Sequence, residues 1–110
     1  QGETLAVAEP RTEGSQASPG AQTLLASTRN LSQGGPKRVS WVAYGAVPFE
    51  MLLEHVRGAT VVWGQIVPIT TALVTGQLPF ELQTQIGDVI RLRARNAVVG
   101  EVQATLTVEP

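Results

Sequence analysis

From Thr23 to the end of this 110-residue chain, short β-branched runs are punctuated by Gly, Pro, Asn and Asp, and no other feature limits the possible folds so strongly. Residues 1–22 have a different texture. They carry Gly, Pro, Ser, Thr, Glu and Gln, with Leu5 and Val7 as the only bulky apolar side chains. Such a segment cannot bury enough apolar surface to offset its ordering entropy, whereas the patterned part can build a core. The expected organisation is an extended N-terminal arm, residues 1–22, joined to one domain, residues 23–110.

The strand signals of the domain come in order. Thr23 to Arg29 precedes a turn cluster, Asn30 to Lys37, and Arg38 to Tyr44 follows, ended by Gly45 and Pro48. Phe49 to Val56 fits both a helical stripe and a strand face. Eight residues are short for a helix, and Arg57-Gly58 followed by Thr60, Val61 and Val62 has the form of a hairpin, so a strand is expected. Thr60 to Val67 makes the next strand, ended or bent at Pro68. Thr70 to Val74 then leads to a turn at Thr75-Gly76. Phe80, Leu82, Thr84 and Ile86 alternate with Glu81, Gln83 and Gln85 up to a turn at Gly87-Asp88. In the last segment Ile90, Leu92 and Ala94 face inward, as do Val102, Ala104, Leu106 and Val108, with Asn96 to Gly100 closing a hairpin. Seven or eight such strands predict an all-β fold: a single antiparallel β-sandwich or jelly-roll-like domain.

Composition removes several classes of function. With eight Lys and Arg against nine Asp and Glu, the formal charge is −1, which gives no reason to expect nucleic acid as a partner. Zero cysteines exclude disulfides, thiolate catalysis and cysteine-based zinc sites. The longest mostly apolar stretch, Ala59 to Ile69, is interrupted by Gly64, Gln65 and Pro68, far short of the roughly 20 residues a spanning helix needs, so a soluble protein without membrane contact is expected. The chain opens on Gln1 rather than Met, which suggests removal of something ahead of it. Seven Arg against the single Lys37, only Asn30 and Asn96 as asparagines, and a lone Met51 are compatible with a thermophilic source.

Few residues could carry chemistry. His55 is the only histidine; Glu50 and Glu54 lie near it, but a metal site needs three or four ligands, so no metal is expected. His55, the sole aspartate Asp88 and one of Ser27, Ser32 or Ser40 could form a hydrolytic triad only if they converged, and no nucleophile-elbow pattern surrounds the serines. Asp88 has an ordinary task in its turn, hydrogen-bonding the local backbone. No catalytic centre and no cofactor are expected. Arg91, Arg93 and Arg95 share one strand face about 6.5–7 Å apart, a row able to grip carboxylates on a protein partner, or else a solvated face neutralised by Glu101 and Glu109. Trp41, Tyr44 and Trp63 could form a stacking platform for sugar rings if exposed, although alternation places Trp41 with Val39 and Ala43, and Trp63 with Val61 and Val67, in the core.

With Gln1 to Gln22 as arm and Thr23 to Pro110 as block, the layout resembles the small capsid decoration, or cement, proteins of tailed bacteriophages. The resemblance implies a non-enzymatic structural protein on a virion surface, a homo-oligomer such as a trimer, bound to capsid or other assembly subunits. Leu5, Val7 and Pro10 would be the arm's contacts with a neighbouring subunit, because so few apolar side chains give it little grip on its own domain. The other expectation is a carbohydrate-binding or adhesion module, secreted or on a cell surface, using the aromatic rings.

Overall fold

The computed structural model describes residues 23–70, 72–95 and 100–110. Among these, eight strands form: β1 (Leu24–Ser27), β2 (Gly35–Gly45), β3 (Phe49–Arg57), β4 (Thr60–Ile69), β5 (Leu73–Gln77), β6 (Leu82–Thr84), β7 (Val89–Ala94) and β8 (Val102–Glu109). Every ladder is antiparallel. One sheet has the order β1-β7-β3-β4; the other is built around β2, which pairs with β8, with β5 opposite residues 40–44 and with β6 opposite residues 35–37. The two sheets enclose one core, and the protein is an all-β antiparallel sandwich.

The inward phase of each strand supplies that core: Met51 and Leu53 from β3, Ile90, Leu92 and Ala94 from β7, Val39, Trp41 and Ala43 from β2, and Val102, Ala104, Leu106 and Val108 from β8. Each large aliphatic side chain fully buried in this way contributes roughly 1.5–3 kcal/mol of transfer free energy. The ambiguous stretch at Phe49 is a strand because it is central, laddered to β4 on one side and β7 on the other. The Arg57-Gly58 turn that joins β3 to β4 needs a left-handed residue, and Gly58 supplies it with φ 64°.

Three local expectations are corrected. Ile90–Ala94 and Val102–Val108 do not pair: β7 lies between β1 and β3, whereas β8 runs along β2 in the opposite sheet. Their alternation reports which side faces the core, and the two inward faces meet across that core instead of side by side. Thr75-Gly76 is not a turn but the middle of β5, where Gly76 sits opposite Trp41. A Cβ there would lie 2.7 Å from the indole Cζ2, so the glycine makes room for a ring. The strand expected over residues 80–86 is only Leu82–Thr84, since the Gln85 N–H leaves the ladder to donate to the Asp88 carboxylate at 2.8 Å, and Phe80 and Ile86 are exposed. Of the two alternatives for Pro68, an end to the strand is removed: β4 passes through it to Ile69, which an edge strand tolerates because the missing N–H can face away from the ladder.

Candidate functional site

Directly opposite residues on neighbouring antiparallel strands point to the same face. On β2 the outward phase is Arg38, Ser40, Val42 and Tyr44. β8 sets Glu109, Thr107, Thr105 and Gln103 against them in that order, and β5 sets Gln77, Thr75 and Leu73 against Ser40, Val42 and Tyr44. Apart from the Arg38–Glu109 pair at one end, the outer face of this sheet is therefore a grid of uncharged side chains, in which Ser40, Tyr44, Thr75, Gln77, Gln103, Thr105 and Thr107 can hydrogen-bond around Val42 and Leu73. Tyr44, half-buried between Leu73 and Gln103, marks one end. Val42 at the centre is 43% exposed and Leu73 64%. At the other end a cleft of about 300 Å³ opens between Arg38, Ser40, Gln77 and Glu109, floored by Val39 and Leu78. Arg38 Nη2 donates to Glu109 Oε1 at 3.2 Å across its mouth.

Of the aromatic side chains considered from sequence, only Tyr44 belongs to this face. Trp41 is buried inside the sandwich, as alternation indicated. Trp63 faces inward in phase with Val67 and packs against the core, as alternation indicated, but on the edge strand β4 it is only half-buried, and its ring meets Phe80 edge-on at 5.6 Å and 87°. A β-bulge turns Val61 the other way. The register shifts between His55 and Val56, so Trp63 pairs with His55 and faces inward while Val61 pairs with Val56 and faces out, 44% exposed.

The Arg91, Arg93 and Arg95 row lies on the outer face of the other sheet, where its charge is met by β3. Arg91 Nε and Arg93 Nη2 donate to the two oxygens of Glu54 at 2.7 and 2.9 Å, and Arg95 pairs with Glu50. Glu101 and Glu109, the expected neutralising partners, belong instead to the sheet of β8; Glu109 meets Arg38, and Glu101 accepts from Gln103 Nε2. Burial pushes the Glu54 carboxyl up, but the hydrogen bonds and charges of Arg93 and Arg91 outweigh it and hold it below its ordinary value. Leu5, Val7 and Pro10 lie outside the described residues.

His55 and Asp88 do converge. His55 Nε2 lies 2.6 Å from Asp88 Oδ2, and Arg57 grips the same carboxylate in bidentate fashion, Nε to Oδ1 and Nη2 to Oδ2, both at 3.0 Å. Burial pushes the Asp88 carboxyl up; the hydrogen bonds from Arg57, His55 and the Gln85 N–H win and hold it far below the usual carboxylate range. An ionised carboxylate only accepts, so His55 Nε2 carries the proton of this bond. The cluster ties β3 to the end of the sandwich, where Leu31 N–H donates to the Asp88 carbonyl and Gly87 N–H to the Leu31 carbonyl. His55 and the Asp88 side chain are almost completely buried, Ser27 Oγ donates to the Thr28 carbonyl, and Ser40 stands on the far outer face. The arrangement does what a structural clasp does. Among the described residues no group of three or more His, Asp or Glu could hold a metal ion, and no helix is long and apolar enough to cross a membrane.

No protein-family profile matches the sequence, and no curated protein matches it. Solved structures do match by fold. TmCBM61, a carbohydrate-binding module solved in complex with β-1,4-galactotriose, superposes with a TM-score of 0.52 at 12% identity, covering 84% of this chain and 66% of that one. A second, described as CBM4 structure and function, has a TM-score of 0.44 at 19% identity and covers 82% of this chain and 60% of its own. The chain thus spans less than two thirds of the length of either. At this identity the first likeness establishes the β-sandwich fold.

Proposed function

We propose that this domain is a non-catalytic carbohydrate-binding module whose ligand rests on the outer face of the β5-β2-β8 sheet. The observation that carries the reading is the grid itself: Tyr44 and Leu73 offer apolar surface beside Ser40, Gln77, Gln103, Thr75, Thr105 and Thr107, which both donate and accept hydrogen bonds. A sugar has the same division, apolar C–H faces and a rim of hydroxyls, so an open surface of this kind matches it without charge. The sandwich likeness to a module that holds a galactotriose supports the reading. Such a domain would act outside the cell or at its surface. Neither the described residues nor the comparisons favour the virion-decoration reading: its arm contacts fall in residues 1–22, and its arginine row, Arg91, Arg93 and Arg95, is paired with Glu54 and Glu50 of the same chain.

Affinity electrophoresis of the 110-residue chain through gels containing β-1,4-galactan, xylan, mannan or soluble β-glucan tests the proposal. At least one neutral polysaccharide is expected to retard the protein, and Tyr44→Ala is expected to abolish most of that retardation while the domain stays folded. Free migration through every gel, or unchanged retardation of the Tyr44 variant, would overturn it.

A further inference from the structure

The two ends of the outer face differ chemically and are too far apart for one sugar ring to touch both. Tyr44 and the cleft residue Ser40 are four positions apart on β2, about 13–14 Å at the rise of an antiparallel strand. Between them lie Val42, Thr75 and Thr105, all exposed and none charged or large. Resting on the carbohydrate-binding reading, we propose that the ligand is a neutral extended glycan lying along β2, held at one end by Tyr44 and Leu73 and at the other by the cleft between Ser40, Gln77 and the Arg38–Glu109 pair.

The charges of the face point to a neutral polymer. The described charged side chains there are Arg38, Glu109 and, hydrogen-bonded to Gln103, Glu101, which leaves one negative charge in excess. A chain bearing uronate or sulfate groups would bring like charge onto this surface, and the one cation that could receive it is engaged by Glu109. The described cations of the other outer face, Arg91, Arg93 and Arg95, are likewise tied to Glu54 and Glu50.

The ion pair at the cleft is suited to hydroxyl recognition. Its side chains are 65% and 49% exposed, so its contribution to folding is small and the fold does not require it. Side by side across β2 and β8, it offers an acceptor and a fork of donors, the two functions that adjacent sugar hydroxyls need. Ser40 and Gln77 add uncharged groups to the same cleft, over the apolar floor of Val39 and Leu78. This division assigns an apolar contact to one end and polar contacts to the other, and only a chain that reaches both gains from both.

The test is isothermal titration of the full chain with a length series of whichever neutral glycan retards it, from monosaccharide to hexasaccharide, and with polygalacturonate as the acidic comparison. Affinity is expected to rise with length and then level off once the chain spans the face. Gln77→Ala and Glu109→Gln are each expected to weaken the longest oligosaccharide about ten-fold, equivalent to roughly 1.4 kcal/mol, with unchanged melting temperatures. A monosaccharide bound as tightly as the hexasaccharide, cleft variants that bind like the parent, or tighter binding of polygalacturonate would overturn the spanning chain and leave a carbohydrate-binding domain of another design. Failure of every glycan to bind would overturn the module reading with it.

Discussion

Replacing Asp88 with Ala should reveal how much of the domain's stability is held at one end of the sandwich. The carboxylate is 1% exposed and receives hydrogen bonds from His55, from Arg57 twice and from the Gln85 N–H. Their fates on truncation differ. The Arg57 side chain is 41% exposed and rehydrates, and Gln85 stands in an exposed turn. His55, 3% exposed, is left with a donor and no acceptor, alongside a void where the carboxylate was. An orphaned buried donor costs about 1–3 kcal/mol, and breaking a buried charged pair costs about 3–5, so partial rehydration puts the loss near 3 kcal/mol. For a domain of this size that lowers the melting temperature by roughly 12–24 °C, readable by circular dichroism at pH 7. The acid limb adds a second readout. Because the folded Asp88 pKa lies below its unfolded value of 3.8, its contribution is complete above about pH 4 and is lost as the pH falls further. Asp88→Asn should therefore show a smaller drop in stability below pH 4 than the parent. If Asp88→Ala melts within a few degrees of the parent, or both acid limbs coincide, the clasp does not do what its geometry implies.

Other consequences are equally direct. Gly76→Ala places a methyl group 2.7 Å from the Trp41 indole, and overpacking of this kind should cost about 1–3 kcal/mol and alter the near-ultraviolet dichroism of the tryptophans; parent-like melting and spectrum would show that β5 shifts freely. Glu54→Ala removes the acceptor of two arginines whose side chains are 29% and 21% exposed, and a loss of roughly 1–3 kcal/mol in urea denaturation is expected, whereas no loss would mean that water replaces the carboxylate fully.

The sequence revealed the inward face of nearly every strand, because period-two alternation at Ile90–Ala94, Val102–Val108 and Val39–Ala43 directly records burial. Strand partners were hidden for the same reason. Alternation is identical whether β8 pairs with β7 or faces it across the core, so the site, which exists only because β5, β2 and β8 lie side by side, could not be assembled from Ser40, Gln77 and Thr107 as sequence positions. Tyr44 was recognisable as a candidate ring, but its exposure depended on that pairing. The Val61 error has a different origin: one bulged residue at the His55/Val56 shift inverts the phase of the strand before Trp63, and nothing in Thr60–Val67 announces it. Asp88 was legible as a turn carboxylate. Its grip on His55 and Arg57 was not, since 33 and 31 residues, respectively, separate it from them.

The most direct test of the central claim is a map of amide chemical shifts on titration of the labelled chain with neutral oligosaccharides, beginning with β-1,4-galactotriose and extending to gluco- and manno-oligosaccharides. The account predicts shifts concentrated on Ser40, Val42, Tyr44, Gln77, Gln103, Thr105 and Thr107, with the outer face of β3 and β7 unmoved. Shifts centred on Arg91 and Arg93, or an unchanged spectrum with every sugar, would contradict it.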